Sequence, residues 1–119
     1  MTIKLGMVMD SIDHINIKKD TSFAMLLEAQ SRNWELHYME LNDLYLSNGQ
    51  AYARTRTLKV QRDANNWYQF TNEQDIPLDQ LDTIIMRKDP PFDQEYIYAT
   101  YLLEQAERSG TYVVTNLNH

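Results

Sequence analysis

The sequence predicts an α/β fold: a mainly parallel sheet flanked by helices, carrying an antiparallel β-hairpin insertion. Three observations lead there. Apolar runs at Ile3 to Met9 and Thr83 to Met86 are too short for helices and read as buried strands. Stretches with helix-capping residues follow each of them. Between these two halves, Asn48-Gly49 is a strong short hairpin signal.

In chain order, the run from Ile3 to Met9 is broken only by Lys4 and Gly6 and ends in an acid, Asp10. Ser11 to Lys19 shows no period and reads as a loop. Asp20 or Thr21 caps a helix running to about Arg32, with Phe23, Leu26, Leu27 and Gln30 on one side. Asn33 is its stop, since asparagine tolerates the left-handed conformation better than most residues. Trp34 to Leu41 is the next strand. Then Leu44-Tyr45-Leu46, the Asn48-Gly49 turn and Gln50 to Leu58 form a hairpin, and Asp63 to Asn66 is a second polar turn before Trp67 to Thr71. This is an insertion of three or four strands from about Leu44 to Thr71. Residues 72 to 80, with Pro77, read as a loop back to the sheet.

The stretch from Leu81 to Ser109 carries the most chemistry. Its strand runs straight into Arg87, Lys88 and Asp89, then Pro90 and Pro91. Proline donates no backbone hydrogen bond, and it holds the preceding residue extended, so the strand ends on a stiff charged corner. Asp93 caps a helix with Tyr96, Ala99, Leu103 and Ala106 facing the sheet, and Gly110 stops it. Tyr112-Val113-Val114 is the following strand. Strand, corner, helix and strand make one right-handed crossover unit. Open α/β sheets bind ligands beyond the carboxyl ends of such strands, which is where the charged corner falls.

A chain of 119 residues has room for one domain and one core. With 17 acidic and 11 basic residues, the formal charge of −6 argues against a general nucleic-acid binder. There is no cysteine, which excludes disulfides, zinc fingers and thiol nucleophiles. The amino terminus carries Lys4 and Asp10 in and after a short apolar run, so it reads as neither signal peptide nor membrane span. Cytoplasm is the expected location, with no membrane partner.

Among candidate site residues, Arg87 comes first. A guanidinium offers a fork to a carboxylate or phosphate, and the Pro-Pro corner fixes where it points. Lys88 and Asp89 belong to the same corner. Asp10 shares the edge from the first strand, and Lys18 brings charge to it from the loop. The bland alternatives are a solvated strand end with an internal ion pair and a solvated helix flank. His14, His37 and His119 lack metal-ligand spacing, and His37 reads as structural. The three glycines, Gly6, Gly49 and Gly110, form no phosphate-binding loop. Arg54 and Arg56 read as a solvated hairpin face. No catalytic machinery is visible.

These residues resemble those of a known family. Lys4-Leu5-Gly6, Val8-Met9-Asp10, Asn16 to Asp20 and Ser22 to Ala29 are similar to the amino terminus of bacterial glutathione synthetases. So are Glu35 to Met39, Asp43 to Leu46 and, most specifically, Met86-Arg87-Lys88-Asp89-Pro90-Pro91-Phe92-Asp93 with Tyr96 to Tyr101. The resemblance implies a Rossmann-like, three-layer pre-ATP-grasp domain over residues 1–119, with the central and ATP-grasp domains absent from this chain. It implies a parent ligase that joins γ-glutamylcysteine to glycine with ATP and Mg²⁺ through an acyl phosphate. Arg87, Asp10, Asp89, Lys88 and Lys18 would then lie on the peptide-substrate side. Catalytic, nucleotide and metal residues are expected outside this chain, which should bind no cofactor and be inactive alone. Homo-oligomer contacts are also implied. The family's Asn-x-Pro turn reads Asn116-Leu117-Asn118 here, which suits an excised domain. The rival expectation is a freestanding interaction or oligomerisation domain without catalytic activity.

Overall fold

A computed structural model describes residues 2–87 and 94–115. Its elements follow in the order β1 (Lys4–Met9), α1 (Thr21–Ser31), β2 (Glu35–Met39), β3 (Leu44–Ser47), β4 (Gln50–Val60), β5 (Tyr68–Pro77), β6 (Thr83–Arg87), α2 (Gln94–Arg108) and β7 (Tyr112–Thr115). All the described strands join one sheet. Strands β2, β1, β6 and β7 lie side by side and parallel. β4 continues the sheet antiparallel to β2, pairs β3 further along, and carries β5 on its outer side. The protein is thus a Rossmann-like α/β domain whose parallel half is extended by antiparallel strands.

Sequence dictates this arrangement through alternation. In β1, Leu5, Met7 and Met9 pack under α1 with Phe23, Leu26 and Ala29. Val8 points the other way, into a core with Met39, Ile84, Met86 and the α2 residues Ala99, Leu102, Leu103 and Ala106. A strand covered on both faces reads as a near-continuous apolar run, which is why Ile3 to Met9 was legible. β4 changes sides along its length: Ala51 and Ala53 bury under α2, whereas Leu58 and Val60 bury on the α1 side. There the Gln30 carboxamide clamps Val60, donating to its carbonyl at 2.7 Å and accepting its N–H at 2.8 Å. Asp20 Oδ1 caps α1 by accepting the Phe23 N–H at 2.9 Å, and Asn33 follows it at φ 62°. The Asn48-Gly49 turn has φ 52° and 78°, the paired left-handed residues of a two-residue hairpin.

Two expectations are corrected. Residues 72 to 77 are not a loop, because β5 runs on to Pro77, paired against β4 as far as Tyr52. As an edge strand it can hold Pro77, since only one side of it carries a ladder. β6 runs one residue further than expected, so that Arg87 is its last residue. The Asp93 cap lies outside the described residues. No helix among the described residues is long and apolar enough to cross a membrane.

Gly6 marks a close approach. A Cβ there would lie 2.6 Å from Leu81 Cδ1 and 2.9 Å from Met39 Cε. Both neighbours are side-chain ends that can shift for one methyl, but both are buried and have little space to shift into. Gly6→Val is therefore expected to lose about 1–3 kcal/mol by overpacking, and Gly6→Ala less. Urea unfolding checks this, and a Gly6→Val midpoint equal to the parent's would contradict it.

Candidate functional site

Parallel strands deliver their carboxyl ends to one edge of the sheet. β1 and β6 are in register there, with Met9 beside Arg87. Arg87 is half-buried, and its Nε–H donates to Ser22 Oγ at 3.1 Å. Ser22 stands in the first turn of α1, whose amino terminus also points at this edge. A guanidinium and the positive end of a helix dipole side by side favour an anion. Asp10 is the first residue past β1 and is exposed. Lys18 is exposed on the loop that leads into α1, where Asn16 Oδ1 accepts its backbone N–H at 3.0 Å. The structure thus brings Asp10 and Arg87 onto one edge with Lys18 on the adjoining loop. Lys88 and Asp89 lie outside the described residues.

The loop after β1 is held rather than slack. Ile12 is buried in a 3₁₀ turn, Ile12–His14. Its N–H donates to the Tyr38 hydroxyl at 3.2 Å, and its carbonyl accepts from Trp67 Nε1 at 3.1 Å. The Tyr38 hydroxyl in turn donates to Glu40. Ser22, Tyr38 and Trp67 were not singled out from sequence, because their partners Arg87 and Ile12 lie far along the chain. Arg56 departs from the solvated reading: its guanidinium stacks 4.5 Å from the Phe70 ring centre and 5.4 Å from that of Tyr38. Arg54 is exposed and reaches Asp75 at 3.4 Å. His37 is a buried sheet residue, bonded to Thr55 Oγ1 at 3.1 Å and Glu35 Oε2 at 2.6 Å, as a structural histidine is expected to be. A cavity of 590 Å³ opens at the opposite end of the sheet, lined by Gln30, Trp34, Glu35 and Thr57, away from this charged edge.

Tyr38 supports a prediction. Burial, and then the bond to Glu40, raise its phenol well above the ordinary value near 10. A raised folded value means that this contribution to stability is whole below about pH 10 and is lost as pH rises toward the folded value. Tyr38→Phe also leaves the Ile12 N–H unpaired. The variant is expected to lose about 1–3 kcal/mol at neutral pH. Its stability should then fall less than the parent's above about pH 10. Denaturant melts at pH 7 and pH 11 read both, and parallel losses in the two proteins would contradict the assignment.

Among the described residues, no group of His, Cys, Asp or Glu is placed to hold a metal ion. With no glycine-rich loop either, this donor set does not fit magnesium or nucleotide phosphates.

Fold and edge together define a Rossmann-like α/β domain whose carboxyl edge carries an arginine suited to an anion. The chain belongs to the family described as prokaryotic glutathione synthetase, N-terminal domain, whose model matches residues 3–119. It is 69% identical over 112 residues to the glutathione synthetase of Escherichia coli O127:H6 (strain E2348/69 / EPEC), covering 94% of this chain and 35% of that protein. It is equally similar, over the same shares, to the glutathione synthetase of Photorhabdus laumondii. To that of Vibrio vulnificus it is 63% identical over 114 residues, 96% of this chain and 36% of that protein. The chain therefore spans about a third of the length of the curated relatives it matches.

Proposed function

We propose that this chain is the substrate-side, pre-ATP-grasp domain of a glutathione synthetase. The full-length polypeptide would ligate γ-glutamylcysteine to glycine. ATP and Mg²⁺, held by central and ATP-grasp domains outside residues 1–119, would supply the activation of a carboxylate as an acyl phosphate. The observation that carries the reading is Arg87 at the carboxyl edge, tied to the first turn of α1, in a chain of this family. Arg87 grips a substrate carboxylate. Asp10 and Asp89 receive an ammonium or orient Arg87 and Lys88, and Lys18 adds positive charge from the loop. A cytoplasmic location goes with this reading, since a chain without cysteine needs no oxidising compartment. The test is ADP release by the full-length polypeptide with ATP, Mg²⁺, γ-glutamylcysteine and glycine. Release that needs both carboxylate substrates supports the reading, while none would favour the freestanding interaction domain.

Self-association belongs to the same reading. Ile97, Tyr98 and Tyr101 lie together on α2 with Ile97 63% and Tyr101 60% exposed, an apolar patch of the kind that marks contact surfaces. The protein is expected to sediment as an oligomer, and Ile97→Lys with Tyr101→Lys to shift it toward monomer. A strict monomer at high concentration would remove α2 as a contact.

A further inference from the structure

We infer that Ser22 is a positioning residue for Arg87 and selects which edge of the guanidinium meets a ligand. This rests on the reading of Arg87 as the carboxylate-binding group. Ser22 is on the buried side of α1 and only 5% exposed. Its hydroxyl is not needed as a cap, because Asp20 already accepts the Phe23 N–H. Alanine would be the better helix former there. The hydroxyl's contact is with Arg87, whose Nε–H it accepts at 3.1 Å from a residue 65 positions away.

A guanidinium can meet a carboxylate through Nε with one Nη, or through its two Nη groups. Ser22 occupies Nε, so among the described residues the Nη pair is the edge that remains for a ligand. Both ends of the bond are anchored. Arg87 is set by its register beside Met9, and Ser22 by the capped first turn of α1. The guanidinium plane is thereby fixed before a substrate arrives, which lowers the ordering cost of a two-bond grip. The ligand so recognised is a planar substrate carboxylate met end-on.

The test is steady-state kinetics of the full-length polypeptide for γ-glutamylcysteine, glycine and ATP. The variants are Arg87→Ala, Ser22→Ala, Ser22→Thr and the Ser22→Ala/Arg87→Ala double. Ser22→Ala is expected to raise the KM of the one carboxylate substrate that Arg87→Ala affects, by about two- to tenfold, with the KM for ATP and kcat nearly unchanged. Ser22→Thr, which keeps the hydroxyl, restores most of the loss. On the Arg87→Ala background, Ser22→Ala adds nothing. An unchanged KM in Ser22→Ala beside an impaired Arg87→Ala would overturn the inference and leave the reading of Arg87 standing. So would a Ser22→Ala effect of equal size on the Arg87→Ala background, or no recovery with threonine. If Arg87→Ala itself leaves both carboxylate KM values unchanged, the reading falls and this inference with it.

Discussion

Arg87→Ala in the full-length polypeptide is expected to raise the KM for one of the two carboxylate substrates proposed for it by about ten- to a hundredfold. The KM for ATP should stay nearly unchanged. The reasoning is local. Arg87 closes β6 beside Met9 and is bonded to Ser22, so its guanidinium has little freedom to leave the edge. A charge-assisted hydrogen bond to such a group is worth about 1.5–3 kcal/mol, and that sets the fold-change. Arg87→Lys should recover only part, because lysine keeps the charge and loses both the fork and the Nε–H that Ser22 accepts. The competing account makes Arg87 a purely structural tie between β6 and α1. In that account the substitution lowers the melting temperature and weakens all three substrates together. KM values for each substrate beside a thermal melt separate the two.

Residues 1–119 alone are expected to show no ADP release above a no-protein control, with ATP, Mg²⁺, γ-glutamylcysteine and glycine all present. The full-length polypeptide should release ADP under the same conditions. Phosphoryl transfer needs groups that hold the nucleotide phosphates and a metal ion beside them. The described residues provide no acidic cluster for the metal, and the three glycines make no phosphate cradle. Turnover by this chain alone, clearly above the control, would show that the ATP-handling groups are here after all.

Where residues act through their neighbours in sequence, the fold was legible. The apolar strands, the Asp20 cap, the Asn33 stop and the Asn48-Gly49 turn are each decided within a few residues, and all stand as expected. The far half of β5 was not legible. Its Asn72-Glu73-Gln74-Asp75 has no apolar alternation, because an edge strand largely exposed on both faces takes its order from the backbone ladder with β4. Arg56 was misread because the two rings it covers come from β2 and β5, so nothing near it in sequence announces the stack. At the site, strand polarity was enough to bring Arg87 and Asp10 to one edge. Ser22 was hidden for the same reason as Arg56: its partner is a single atom on a strand that arrives much later in the chain. A serine just inside a helix looks like part of the cap, and only its buried side reveals the other use.

The central claim is that Arg87 meets a substrate carboxylate. The most direct test is a structure of the full-length polypeptide with γ-glutamylcysteine, glycine and a non-hydrolysable ATP analogue bound. The measurement is the distance from the Arg87 Nη atoms to the nearest substrate carboxylate oxygen. Two contacts of about 2.7–2.9 Å, with Ser22 still on Nε, are the predicted result. A nearest carboxylate beyond about 4 Å, outside ion-pair reach, would contradict it.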